Sequence, residues 1–143
     1  MKLDKNMRLT EHFRLGEFLV SREYPSLAEQ LAPSPVHVNC LYLLCATVLE
    51  PMRVKFGVPF VVTSGLRSPE LNRKVHGDAK SLHMYGKAAD FAVTPRKQLV
   101  DIYLAIKDGL PFAWSQLILY RKDNFIHVAL PHPGVEELCE TRY

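Results

Sequence analysis

Two short runs in the second half of the chain alternate in a way that narrows the possible folds. Along Lys87 to Val93, an extended strand would place Ala88, Asp90 and Ala92 on one side and Ala89, Phe91 and Val93 on the other. Along Phe125 to Leu130, Phe125, His127 and Ala129 share a side opposite Ile126, Val128 and Leu130. Each run has one apolar side, and on its other side a lone titratable residue stands beside alanines. If the two strands are neighbours, their apolar sides make a core, and their other sides offer a carboxylate and an imidazole with little bulk around them. That is the floor of a pocket.

The rest of the chain alternates between helix and strand signals. Ser34-Pro35 reads as an N-cap followed by Pro at the first helical position. Val38, Leu41, Leu44, Cys45, Val48, Leu49 and Met52 then recur at helical spacing. Pro51 falls inside that pattern and should kink the helix or shift its end, and Gly57 marks its stop. Upstream, Thr10 to Phe13 reads as a turn and Leu15 to Val20 as a short helix, with a further helical turn over Ser26 to Leu31.

Val58 to Thr63 is a β-branched, aromatic run bounded by Gly57 and Gly65, hence a strand. Ser68-Pro69 starts a capped helix, and Thr94-Pro95 repeats that signal ahead of the stripe Leu99, Ile102, Tyr103 and Ile106, which ends at Gly109. Strands at Gln116 to Tyr120 and Phe125 to Leu130 form a hairpin over the polar turn 121–124. Pro131, His132, Pro133 and Gly134 break the pattern and leave the tail, 131–143, without a readable structure. Helices first and an antiparallel central sheet mainly late in the chain predict an α+β fold with N-terminal helices.

Composition excludes several classes. With 143 residues, 48% hydrophobic and 23% charged, the chain is expected to be one globular domain with a core that needs no disulfides. Its three cysteines form no C-x-x-C pair, so Cys40, Cys45 and Cys139 are expected as free, buried thiols. The net charge of +3 comes from dispersed Lys and Arg, which argues against nucleic acid as partner. No apolar run approaches the roughly 20 residues of a membrane span. Met1 to Arg8 contains no hydrophobic core of a signal peptide, so synthesis in a cytoplasm is expected, and the protein is expected to be a monomer.

A carboxylate and two imidazoles are ligands that suit zinc, at roughly 2.0 to 2.2 Å, and three protein ligands leave a fourth position for water. His83, Asp90 and His127 meet that description, although the same three residue types arise by chance in many sequences. Longer motifs narrow the reading. Ser81 to Asp90 fits S-x-H-x-x-G-x-A-x-D, and Phe125-Ile126-His127-Val128 supplies a later aromatic-x-His-Val element. Together they resemble the zinc D-alanyl-D-alanine carboxypeptidase family, within the group that includes lysostaphin and the hedgehog signalling domain.

Thr63 to Asn72 is similar to the family's strand-to-helix turn, with Leu66 where Tyr is usual, and Thr10 to Phe18 and Gln116 to Ile118 resemble small members often found in phages. The resemblance spans about residues 9–130 and implies a hedgehog-like metallopeptidase fold.

The resemblance implies that His83, Asp90 and His127 hold one zinc ion, with Gly86 turning the backbone between them and Ala88 keeping the surroundings open. It implies that Arg67 holds a substrate carbonyl or carboxylate and the developing oxyanion, that Ser81 orients a ligand or the substrate, and that Gln116 binds substrate. The activity implied is hydrolysis of an amide bond in peptidoglycan stem or cross-bridge peptides. The enzyme would be a carboxypeptidase or endopeptidase, such as a phage endolysin that acts on the wall after release or as part of a virion.

One position departs from the pattern. Many members carry an acidic residue three positions before the last histidine, and here that residue is Asn124, which cannot take a proton. Asp123, one residue earlier, is either the base or a residue that shapes the turn. The alternative function is therefore a zinc-containing protein, weak or inactive as a catalyst, that binds wall peptides or a partner. Glu136, Glu137 and Glu140 could reach the metal only if the tail folds back. Of the other histidines, His12 is expected to be structural and His37, His76 and His132 to cap or lie at the surface, His76 being the one of these three best placed to approach substrate. Tyr85 and Trp114 belong either to a groove or to the core.

Overall fold

The computed structural model describes residues 4–143. Met1 to Leu3, the first part of the charged start, lie outside them. The chain opens with β1 (Arg8–Thr10) and β2 (Phe13–Arg14), which pair antiparallel, then a 3-10 turn at Leu15–Phe18. The expected turn at Thr10 to Phe13 is the tip of this small hairpin. Phe13, Leu15 and Phe18 are buried as anchors, and His12 binds Glu50 from both its backbone nitrogen (2.7 Å) and its ring (2.6 Å).

Helices α1 (Pro25–Glu29) and α2 (Pro35–Leu44) follow, the second capped by Ser34, whose hydroxyl accepts from His37 N. A π-turn at Cys45–Leu49 joins α2 to α3 (Glu50–Phe56), which ends at Gly57 in the left-handed conformation. Pro51 explains the π-turn. It has no N–H to return to the preceding turn, and its ring would strike a carbonyl there, so widening the turn lets the helix run on with little loss of direction.

Strand β3 (Phe60–Ser64), helix α4 (Pro69–Lys74), strand β4 (Ala88–Val93), helix α5 (Gln98–Gly109), strand β5 (Gln116–Tyr120) and strand β6 (Phe125–Ala129) come next. The helix expected to start at Thr94-Pro95 begins at Gln98 instead. Pro95 and Arg96 form a turn whose carbonyls accept from Gln98 N and Leu99 N, and this supplies the cap that Thr94 was expected to give.

The five-stranded sheet has the order β3-β4-β6-β5-β7, where β7 is Leu138–Arg142. Its first four strands are antiparallel, with Asp90 opposite His127. The tail, unreadable in the sequence, adds β7 parallel to β5 at the edge, and Cys139, expected to be buried, is exposed there.

One face of the sheet carries the core. Ala89, Phe91, Val93, Ile126 and Val128 meet Leu41, Leu44, Val48 and Leu49 of the long helix and Leu99, Ile102 and Ile106 of α5. Phe60 stacks on Phe91 at 4.8 Å within it. Trp114 belongs to this core and bonds Ile106 O through its indole N–H. Burying this face leaves the opposite one, with Asp90 and His127, turned toward a cleft. No helix among the described residues is long and apolar enough to cross a membrane.

Candidate metal centre

The cleft occupies about 620 Å³ over the second face of the sheet. Its floor comes from β4, β6, β5 and β7. One wall comes from the polar stretch between α4 and a 3-10 turn at Leu82–Tyr85, which includes His76, Lys80 and Ser81.

His83 rides on that 3-10 turn. Ser81 caps it, accepting from His83 N, and Gly86 ends it at a φ of 72°. An L-residue is rarely stable at that φ, and a Cβ at Gly86 would sit 2.9 Å from His37 O, so both conformation and space call for glycine. Asp90 and His127 project from β4 and β6 as the alternation requires. Ala88, expected to leave open space beside the metal, is fully buried in a small cluster with Leu82, Ala129 and Val135. It seals the end of the floor, because the tail folds over it.

The three side chains converge. His83 Nε2 lies 3.3 Å from Asp90 Oδ1 and His127 Nδ1 lies 2.8 Å from the same oxygen. All three ligand atoms fall within 4.8 Å of one another. The far nitrogen of each ring is already engaged. His83 Nδ1 lies 2.8 Å from the Gly65 carbonyl, which can only accept, so that nitrogen carries the proton and Nε2 presents a lone pair. His127 Nε2 donates to Gln116 Oε1 at 2.9 Å, which likewise leaves a lone pair on Nδ1. Two lone pairs and a carboxylate aimed at one point repel unless a cation stands among them. A proton can satisfy one of the pairings, whereas a metal ion satisfies all three.

Electrostatics agree. Burial pushes the His83 imidazole toward its neutral form, against the pull of Asp90. Burial alone would raise the Asp90 carboxyl, but positive charge and N–H donors at His83 and His127 outweigh it and hold the carboxyl well below the usual carboxylate range, a role that a bound cation takes over when both rings are neutral. A neutral imidazole beside an ionised carboxylate is the protonation state a metal requires.

Arg67 stands beside this group, with Nη2 3.9 Å from Asp90 Oδ2. Its fork is fixed by Ser64 Oγ, at 3.3 Å from Nε and 3.1 Å from Nη2, and by Asn72 Oδ1 at 3.2 Å from Nη1. Burial lowers its pKa, an effect Asp90 opposes. The sequence reading missed Asn72. This side chain is 3% exposed and also donates to Asp78 O, which ties the loop to α4. The available signal was its place in the helix that Ser68 caps, facing back toward Arg67. Gly77 belongs to the same device, since a Cβ there would collide with Asn72 Oδ1 and lie 2.8 Å from Arg67 Nη1.

Gln116, expected among substrate contacts, is engaged on His127, and Ser81 caps the turn that carries His83 while also lining the cleft. Asp123 and His76 line the cleft as well. Asn124, at a φ of 56°, lines a separate depression with Leu99, Val100 and Leu119. Tyr85 stands outside the cleft, 4.6 Å from His132, which accepts from Lys87 Nζ. The tail brings Gly134, Val135, Leu138 and Arg142 to the cleft, and Glu140 pairs with Arg142 at 2.7 Å.

The family model described as Peptidase M15 matches residues 12–129, most of the chain. The chain belongs to the Peptidase M15 family. The match takes in every residue of the metal group, together with Arg67, Gln116 and Asp123, and it stops at Ala129, so β7 lies beyond it. No curated protein matches the chain.

Proposed function

We propose that this member of the Peptidase M15 family is a zinc-dependent peptidase that hydrolyses an amide bond in peptidoglycan stem or cross-bridge peptides, acting at a bacterial wall. The observation that carries the reading is the pair of imidazoles whose outer nitrogens are committed to Gly65 O and Gln116 Oε1 while their inner lone pairs meet Asp90. His83, Asp90 and His127 would hold the ion. Zinc, when bound, brings the pKa of a coordinated water to about 7 and polarises the scissile carbonyl.

The protein side chains supply the rest. Arg67, braced on two sides, presents a fixed guanidinium to the oxygen that gains charge as the carbonyl is attacked. Asp123 accepts the proton of the attacking water and returns it to the leaving amine. Ser81 and His76 hold the peptide against the wall of the cleft.

A second reading is favoured by Asn124, which stands three positions before His127, where the family resemblance leads one to expect an acid. If Asp123 does not replace it, the protein is a zinc-containing module that binds wall peptides without cutting them. Mass spectrometry of purified peptidoglycan after incubation with zinc-loaded protein separates the two. New peptides that vanish with a chelator and in His83→Ala support hydrolysis and identify the bond. Zinc binding without new peptides, over several wall types, supports the binding module.

A further inference from the structure

The tail strand extends the floor of the cleft by one strand and places a guanidinium at its far side. Reading across the sheet, Asp90 stands opposite His127, His127 opposite Ile118 and Ile118 opposite Glu140. The adjacent row runs Phe125, Tyr120, Arg142. β7 therefore lies two strand spacings from the strand of His127, or roughly 10 Å. Tyr120 stacks on Phe125 at 4.3 Å, and the Arg142 guanidinium lies over the Tyr120 ring at 5.5 Å, so the fork rests on a rigid aromatic platform.

Arg142 Nη1 donates to Tyr120 OH at 3.0 Å, while Nε and Nη2 donate to Glu140 Oε1 at 3.1 and 2.7 Å. A guanidinium carries five N–H bonds. One on Nη1 and one on Nη2 thus have no partner among the described residues, and a neighbouring pair of that kind matches the two oxygens of a carboxylate. The Glu140 pairing does not explain the arrangement as a stabilising device, because the two side chains are 37% and 49% exposed and such pairs add little to stability.

We propose that Arg142 is a specificity-determining residue that binds a carboxylate of the substrate peptide at the far side of the cleft. The proposal rests on the peptidase reading above. The Arg142 row also lies two residues, roughly 7 Å, along the strands from the His127 row, and the resulting separation of roughly 12 Å spans about three to four residues of an extended peptide, so this carboxylate belongs to a residue near the scissile bond, or to its side chain, and not to the bond itself. Glu140 orients the fork and, with Asp123 also lining the cleft, tempers the attraction.

The test converts each carboxyl group of a wall stem pentapeptide to a carboxamide in turn. Binding to the zinc-loaded protein is measured by calorimetry for wild type, Arg142→Gln and Arg142→Lys, and cleavage is followed by mass spectrometry in the same samples. One amidation should weaken binding to wild type by about tenfold and leave Arg142→Gln almost unaffected, with Arg142→Lys between them because it keeps the charge and loses the fork. The proposal is overturned if every amidation has the same effect on wild type and Arg142→Gln, or if wild type binds none of the peptides. An Arg142-dependent carboxylate preference without any cleavage would uphold the proposal and overturn hydrolysis. Cleavage with a preference indifferent to Arg142 would do the reverse.

Discussion

Asp123 and Asn124 are consecutive in the turn between β5 and β6, yet Asp123 lines the metal cleft while Asn124 lines the depression on the α5 side of the sheet. Asp123, Phe125 and His127 all line the cleft, so the divergence follows the two-residue alternation of the chain entering β6, with Asn124, at a left-handed φ of 56°, on the other side. The carboxylate thus reaches the cleft from the residue before Asn124.

Asp123→Asn should accordingly lower turnover by roughly 10² to 10⁴-fold while leaving zinc affinity unchanged. Asn124→Ala should leave turnover near wild type and cost about 1 kcal/mol of stability, because alanine tolerates the left-handed conformation less well than asparagine. Steady-state kinetics, zinc titration and thermal unfolding on the two variants check this.

The metal group should behave as a unit with its outer supports. His83→Ala, Asp90→Asn or His127→Ala should abolish stoichiometric zinc binding. Gln116→Ala, which frees His127 Nε2, should weaken zinc by roughly 10 to 100-fold with the fold intact. Competition titration against a chromophoric chelator reads both effects.

Gly86 is held by its backbone conformation and by its contact with His37 O. Gly86→Ala should destabilise the protein by about 1 to 3 kcal/mol, and because the same turn carries His83 it should also weaken zinc binding. Denaturant unfolding alone would show the first effect, and unfolding repeated at saturating zinc would show a smaller ligand stabilisation than in wild type.

Away from the cleft, Glu50 reports on acid stability. Burial raises its pKa, but the bonds from His12 outweigh that and leave it below its ordinary value. A carboxyl depressed by folding stabilises above its unfolded pKa of about 4.3, and that contribution is lost as pH falls through the folded value. Glu50→Gln should therefore be less stable than wild type by about 1 to 2 kcal/mol at pH 7, and the gap should narrow below about pH 4. Urea denaturation at pH 7 and pH 3 measures it.

The parts of the fold that follow a strict period were legible in the sequence. The β4 and β6 alternation placed Asp90 and His127 on one face because a single-residue slip would turn both polar side chains into the apolar core, and the Ser34 and Ser68 caps marked helix starts by local chemistry. What depends on distant contact was not legible. β7 has no apolar alternation of its own and becomes a strand because β5 offers a free edge, so nothing local announced it. The brace from Asn72 to Arg67 and the commitment of Gln116 to His127 depend on which elements pack together, and a motif shows the residue without its partner.

A crystal of the protein grown with zinc, with anomalous scattering recorded on both sides of the zinc absorption edge, tests the central claim most directly. The expected result is one strong peak bonded to His83 Nε2, Asp90 and His127 Nδ1, with Gln116 still on His127 Nε2. A peak elsewhere, or none at saturating zinc, would contradict it.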